Sequence, residues 1–247
     1  MYLIGDIGNT EIKICLFNTN LKLLRRLVLK TNNISNKSLQ KRLNFLNKYS
    51  NKIKKVLFCS VVPSAFSIIK FFLKKKIKKK CFELKQLNLK KFLKIKVNKK
   101  QIGSDRLANA IAIIDNKFNY IILDFGTATT FDAVIKDKYL GGVIAPGVKL
   151  SLQTLISKAS LIPKVNLSKI SKVVGTNTES AVRSGFYWGY AGLINNIIKL
   201  ITKQSHKSFR IILTGGLAHL FKDLINVKSV IKKDLTISGL LKVVSKL

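Results

Sequence analysis

The chain has 247 residues, 47% of them hydrophobic, and carries 46 Lys and Arg against 11 Asp and Glu, a formal charge of +35. That apolar content can bury one large core or two smaller ones, and no run of about 18 uncharged apolar residues is present to cross a membrane. The start, MYLIGDIGNT, has no basic segment, apolar stretch and cleavage site of a secretory leader, so a cytoplasmic protein is expected, with Cys15, Cys59 and Cys81 reduced and mostly buried.

In chain order, YLIGDIGN and EIKICLF read as a hairpin about a Gly-Asn turn, and 21–29 as a third strand. Leu39, Leu43 and Leu46 stand at helical spacing within 37–49. The apolar run KVLFCSV at 55–61, ended by Pro63, predicts a buried parallel strand. A helix over 64–75, a short strand near 81–85 and a helix over 103–116 follow. The opening pattern then returns: 119–135 reads as two apolar strands about Asp-x-Gly-Thr, and 139–147 supplies a third. A long helix over 178–203, a strand and glycine turn over 209–216, and helices over 217–225 and 234–246 complete the chain. Two halves that each open on a three-stranded meander predict a duplicated α/β fold, divided into residues 1–116 and 117–247.

The charge invites a nucleic-acid reading, but 40 of the basic residues are Lys and only 6 are Arg. Arg, with its bidentate fork, does most specific base and phosphate recognition, and here the lysines are spread along the whole chain. No specific nucleic-acid partner is therefore expected. The densest run, KKKIKKK at 74–80, reads either as a solvated helix end or as a polyanion-binding stripe. The excess charge raises the local concentration of anionic substrates.

The few acids are more telling. Asp6, Asp105, Asp124 and Asp132 sit beside Gly or Thr in short polar insertions between apolar runs. In DIGNTEIK (Asp6, Ile7, Gly8, Asn9, Thr10, Glu11, Ile12, Lys13), a tight turn can offer N–H and hydroxyl donors to phosphate oxygens. Asp6 at the strand end can serve Mg²⁺; an ordinary hairpin turn is the alternative. DFGTATT from Asp124 to Thr130 repeats the arrangement, and Gly215 and Gly216 after a later strand suit a close approach to a nucleoside. Neither a Walker A loop nor a G-x-G-x-x-G fingerprint occurs. The set resembles the phosphate-1, phosphate-2 and adenosine motifs of the acetate kinase/Hsp70/actin superfamily.

Further segments narrow the resemblance: SVVP at 60–63, GSDRLANAIA at 103–112, DFGTATTFDAV at 124–134, GGVIAPGVKLSLQTL at 141–155 and GTNTESAVRSGFYWG at 175–189 are similar to type III pantothenate kinases. The resemblance implies a duplicated actin-like (ribonuclease H-like) fold with the active site in the cleft between the halves. It implies transfer of phosphate from ATP, with Mg²⁺ and a monovalent cation (K⁺ or NH₄⁺), to pantothenate, the first step of coenzyme A biosynthesis, in a homodimer. A family member that has lost catalysis and acts as a binding or regulatory protein, or another small-molecule kinase of the superfamily, is the alternative.

By the same resemblance Asp105 is the general base, and Gly103, Ser104, Arg106 and Thr178 line the pantothenate site. Residues 6–13, Thr127, Gly215 and Gly216 hold ATP, Asp124 holds the monovalent cation, and Asp6 serves Mg²⁺ through ATP. From the residues themselves, Ser104 and Asp105 are also good helix-capping types, Lys13 is equally a strand surface charge, and Asp132 is either a site-supporting acid or a strand residue facing solvent. One stretch departs from the family: KVNKKQIG places Lys96 and Lys99 where many members carry a tyrosine and a proline that precede the G-x-D-R segment.

Overall fold

The computed structural model describes residues Met1–Leu247, which form two compact units: Met1–Ile114 with Asp234–Leu247, and Asp115–Lys233. The first unit holds β1 (Tyr2–Ile7), β2 (Glu11–Phe17), β3 (Leu23–Lys30), α1 (Asn36–Arg42), α2 (Leu46–Tyr49), β4 (Lys55–Ser60), α3 (Pro63–Ile77), β5 (Cys81–Glu83), the two-residue strand β6 (Lys94–Ile95) and α4 (Ser104–Ile113). Its main sheet runs β3-β2-β1-β4-β5. The β1–β2 and β2–β3 pairs are antiparallel, and β4 joins β1 and β5 in parallel.

The period of two along each strand sorts the side chains to the two faces. Leu3, Ile7, Ile12, Ile14, Val56 and Phe58 pack with Leu39 of α1, Leu43 just after it, and Ile69 and Leu73 of α3 in one core. The helix α4 lies against β4, beside the last helix of the chain, α8 (Leu235–Val244), which covers β1 and β4. A Cβ on Gly239 of α8 would stand 1.9 Å from the Ala108 carbonyl oxygen, so this glycine lets the two helices touch backbone to backbone. The contact is fastened by a 2.9 Å hydrogen bond from the Thr236 hydroxyl to Asn109 Oδ1. Lys242 Nζ donates to the carbonyls of Ile111 and Ile114 at 2.8 and 2.9 Å, satisfying acceptors that the end of α4 leaves without helical partners.

The second unit contains β7 (Asn119–Phe125), β8 (Ala128–Ile135), β9 (Lys138–Pro146), α5 (Val148–Lys158), α6 (Thr178–Ser205), β10 (Arg210–Gly215), α7 (Ala218–Phe221) and β11 (Ser229–Ile231). Its strands run in the order β9-β8-β7-β10-β11, again an antiparallel meander extended by two parallel strands. Connectivity and strand direction repeat those of the first unit, the duplication that the returning Asp-x-Gly pattern predicts. Tyr187, Ile194 and Ile198 of α6 pack on Ile121, Leu123, Ile211 and Leu213, and Phe125 stacks on Phe221 with ring centroids 5.4 Å apart.

The expected elements are present with shifted bounds. The predicted helix over 37–49 is broken into α1 and α2, and the one over 217–225 is a single α turn followed by a 3₁₀ turn at Lys222–Leu224. The helix α5 was not expected: Val148 and Leu152 are buried while Leu150 and Leu155 are exposed, a weak stripe next to the Gly-Pro signals of 141–147. The KKKIKKK run is a largely exposed helix end. Lys74–Lys76 form the last turn of α3 and Lys78 takes the left-handed conformation that stops it. Cys15, Cys59 and Cys81 are buried free thiols, and no helix is long and apolar enough to cross a membrane.

Candidate active site

In the first unit the hairpin register sets Lys13 opposite Asp6, and the parallel pairing sets Cys59 beside it. The turn between the strands is closed by Gly8 N–H donating to the Glu11 carbonyl at 3.0 Å. The Thr31 hydroxyl donates to the Gly8 carbonyl at 2.7 Å. Asn9, Thr10 and Glu11 are exposed, whereas Ile7 and Ile12 are buried in the core. The backbone and polar atoms of this turn can meet a ligand; the two isoleucines hold it from below.

Asp6 is half-buried and accepts a 3.3 Å hydrogen bond from the Cys59 thiol, which is fully buried. Burial, then the Asp105 charge, push the Asp6 carboxyl from 3.8 up to about 6, against the Cys59 hydrogen bond and the Lys13 charge. Burial, followed by the neighbouring Asp6 and Asp105 charges, also drives the Cys59 thiol well up, so it stands as a neutral donor and not a nucleophile. Lys13 Nζ lies 3.9 Å from Asp234, which also binds Arg26. Asp234 sits at φ 54°, ψ 36° at the start of α8, a backbone conformation that few residues other than glycine adopt. No motif in the sequence pointed to Asp234, because its partners are more than 200 positions away.

Asp105 lies in the first turn of α4, with Gly103 as the N-cap. Its Oδ1 accepts from the Arg106 N–H at 2.8 Å, but the N-cap itself is Gly103, which has no side-chain cap bond, so neither Ser104 nor Asp105 takes the capping position that their residue types suit. Burial pushes the carboxyl up, opposed by the Arg106 hydrogen bond and charge and by Lys85. The residue before it is fixed more firmly still. Ser104 is fully buried; its Oγ accepts from the Ser60 N–H at 2.7 Å and donates to the Ser60 carbonyl at 3.0 Å. Both bonds tie the start of α4 to the end of β4, so the Ser104 side chain is spent on placing Asp105. Gly103 is close to the carboxylate it introduces: an added Cβ would meet Asp105 Oδ1 at 2.4 Å.

In the second unit, parallel pairing aligns Thr214 with Asp124 and Gly215 with Phe125, which brings the Asp124–Thr130 loop to the later glycine pair. Gly215 has φ +87°, and a Cβ there would stand 2.6 Å from Phe125 backbone atoms and 2.7 Å from Asp124 Oδ1; only glycine fits. Gly216 N–H donates to the Phe125 carbonyl at 3.3 Å. Gly126, Thr127, Gly215 and Gly216 are exposed, and Asp124 lies beside them. This is an oxygen-rich cradle of the kind that suits a hard or weakly hydrated cation and a phosphate chain.

Thr178 opens α6 and is exposed, behind a capping box in which Asn177 Oδ1 accepts from Ser180 N–H at 2.9 Å. Asp132, one of two open alternatives in the sequence, does not face solvent: it is fully buried and accepts from the Tyr139 hydroxyl at 2.5 Å.

Two units of repeated topology, each ending its first hairpin strand on Asp-x-Gly, define a duplicated actin-like protein built to handle a nucleotide. Solved structures agree on the fold. An activator of 2-hydroxyisocaproyl-CoA dehydratase from Clostridium difficile, solved with ADPNP, superposes with a TM-score of 0.52 at 12% identity, covering 99% of this chain and 93% of that one. A Campylobacter jejuni protein described as a Baf family transcriptional activator superposes with a TM-score of 0.61 at 20% identity, covering 99% and 98%. The family model for type III pantothenate kinase matches residues 2–200. A type III pantothenate kinase of Pelagibacter ubique (strain HTCC1062) is 60% identical over 242 residues, 98% of each chain. The chain belongs to the type III pantothenate kinase family.

Proposed function

We propose that this chain phosphorylates pantothenate with ATP, giving 4′-phosphopantothenate and ADP, the first step of coenzyme A biosynthesis. The observation that carries this reading is 60% identity to a type III pantothenate kinase across 98% of both chains. The likeness to the transcriptional activator concerns the fold and does not favour a regulatory role.

The pantothenate hydroxyl oxygen attacks the γ-phosphorus, the bond to the β–γ bridging oxygen breaks, and Asp105 takes the hydroxyl proton. A carboxyl pushed up by burial is a stronger base than one in water, which suits this task. In the first unit the exposed backbone and polar side chains of the 6–13 turn meet phosphates, and Gly103 and Arg106 border the pantothenate, while the buried Ser104 acts only by placing Asp105; in the second unit Thr127 meets phosphate, Gly215 and Gly216 admit the nucleoside, and Thr178 is a pantothenate contact. The exposed turn at 9–11, the Ser104 ties and the Gly215 close approach support these roles as donor, frame and floor respectively.

Asp6, half-buried at a strand end, would serve the Mg²⁺ that travels with ATP. Asp124 in its oxygen-rich loop would hold K⁺ or NH₄⁺. These cations offset phosphate charge as it shifts towards the leaving ADP. Exposed apolar side chains in the second unit, with Ile144 64%, Leu161 91% and Val174 81% exposed, support a homodimer that covers them. The three free thiols and an ATP-dependent reaction support a cytoplasmic location.

Purified protein with ATP, Mg²⁺, K⁺ and pantothenate is the test. Mass spectrometry should show pantothenate gaining one phosphate. If pantothenate is recovered unchanged while another acid or sugar is phosphorylated, the assignment fails.

A further inference from the structure

After β5 the chain makes a 3₁₀ turn at Leu84–Gln86, stiffened by Glu83 Oε2 accepting from the Lys85 N–H at 2.7 Å. From that turn the Lys85 ammonium donates to the carbonyls of Lys100 and Ile102, at 2.9 and 2.8 Å. It therefore grips the loop immediately before Gly103. Ile102 is itself only 5% exposed, so the gripped segment is seated in the core. Lys99, in the stretch that departs from the family pattern, makes the same kind of contact, its Nζ donating to the Leu87 carbonyl at 2.9 Å. On the far side of Gly103, Ser104 fixes the chain to Ser60.

We propose that Lys85 is a positioning residue for the phosphoryl transfer, its ammonium holding the Lys100–Ile102 backbone so that Asp105 stands where the substrate hydroxyl arrives. This rests on the reading of Asp105 as the base. The geometry leaves Asp105 little freedom of its own: Gly103 lies under its carboxylate at a distance no Cβ could occupy. A shift of the 100–102 loop is then passed directly to the carboxylate. Lys85 also brings a positive charge close enough to act on Asp105. The other charged groups acting there are Arg106 on α4 and Asp6 on β1. An uncharged, non-donating side chain of similar length, such as Met, supplies neither the charge nor the two carbonyl contacts.

A double-mutant cycle tests this. Lys85→Met and Asp105→Asn are made singly and together in the full chain. ADP release is followed with pantothenate and ATP each varied, and melting is followed by circular dichroism. Misplacing a catalytic group by about 1 Å costs on the order of 10²-fold, so Lys85→Met should lower kcat by about 10-fold or more. KM for ATP should hold within about twofold, because the first phosphate loop is not touched. Lys85→Arg, which keeps the charge and two donors, should recover most of kcat.

In the Asp105→Asn background, Lys85→Met should cost less than about twofold more, since a positioning residue has nothing left to position. A folded Lys85→Met with wild-type kcat, or one whose loss persists in full in the Asp105→Asn background, overturns the proposal while leaving the base intact. An Asp105→Asn protein with full kcat overturns the base assignment first, and the role of Lys85 with it. Should Lys85→Met not fold, Lys85→Gln is read in the same cycle by the same criteria.

Discussion

Replacing Gly103 with Ala separates the placement of Asp105 from the stability of the fold. Gly103 has φ −60° and ψ 136°, ordinary extended backbone that alanine adopts freely, so no backbone strain is introduced. What the added methyl meets is Asp105 Oδ1, at 2.4 Å, and Val61 Cγ1 at 3.5 Å. The second is normal packing; the first is about 1 Å inside van der Waals contact. The carboxylate must swing away, and its hydrogen bond to the Arg106 N–H is lost as it goes. The stability cost is that of one hydrogen bond, about 1 kcal/mol. With Asp105 in its proposed role as base, the catalytic cost is that of a base displaced by roughly 1 Å, on the order of 10²-fold in kcat, compared with about 10²–10⁴-fold for removing a base outright. A coupled ADP-release assay gives kcat, and urea unfolding of the same preparation gives stability. A Gly103→Ala protein with kcat within threefold of wild type would show that the carboxylate orientation set by this close contact is not the one that matters. A large loss of stability with the activity loss would show that the site had simply come apart.

Three further outcomes follow from the same geometry. Asp6 is pushed from 3.8 to about 6 in the folded protein, so between those pH values the native state holds a proton the unfolded chain has lost, and stability falls as pH rises through that window; Asp6→Asn should flatten this dependence and raise the melting temperature of the ligand-free protein near pH 7.5 while abolishing activity, and an unchanged melting profile would refute the buried-charge account. Activity should need K⁺ or NH₄⁺, and Asp124→Asn should weaken that activation severalfold or more in a KCl titration; full wild-type activity in a sodium-only buffer contradicts the role given to Asp124. Gly239→Ala drives a methyl to 1.9 Å from the Ala108 carbonyl oxygen, so it should cost at least the roughly 1–3 kcal/mol typical of overpacking, read from the shift of the urea midpoint at unchanged slope.

The sequence is most legible where local pattern and chemistry coincide. Asp6 and Asp124 stand at strand ends before glycine, and the period-two strands around them locate both loops without any tertiary information. The pairing of Gly215 with the second loop was legible as a motif but not as a contact, because only the parallel register of β10 on β7 brings Gly215 to Phe125. The helix α8 shows the limit. Its apolar face says that it is buried, not which core buries it, and it is the close approach at Gly239 that places it on α4. Asp234 and Lys85 were invisible for a related reason: each acts through partners that chain folding, not sequence spacing, brings within reach.

These hidden residues share a physical logic with the visible ones. Asp6 and Asp105 are two carboxylates in one partly dry place, and Asp105 raises the cost of charging Asp6. An arrangement of that kind is unfavourable for the empty protein and persists only when its surroundings hold it. Its supports are the Cys59 thiol on Asp6, the Arg26–Asp234–Lys13 group beside it, the Ser60–Ser104 tie before Asp105 and the Lys85 grip behind Gly103. Two of the four are neutral hydrogen bonds, and the Lys13 and Lys85 charges offset only part of the burial that keeps both carboxyls raised. A chain with a formal charge of +35 could have neutralised these acids with nearby lysines many times over. Lys13 is instead shared with Asp234, and Lys85 is turned onto carbonyls. Both carboxyls thus remain pushed up by burial despite the nearby lysines, which is what the roles proposed for them at the cation and the proton of the reaction require.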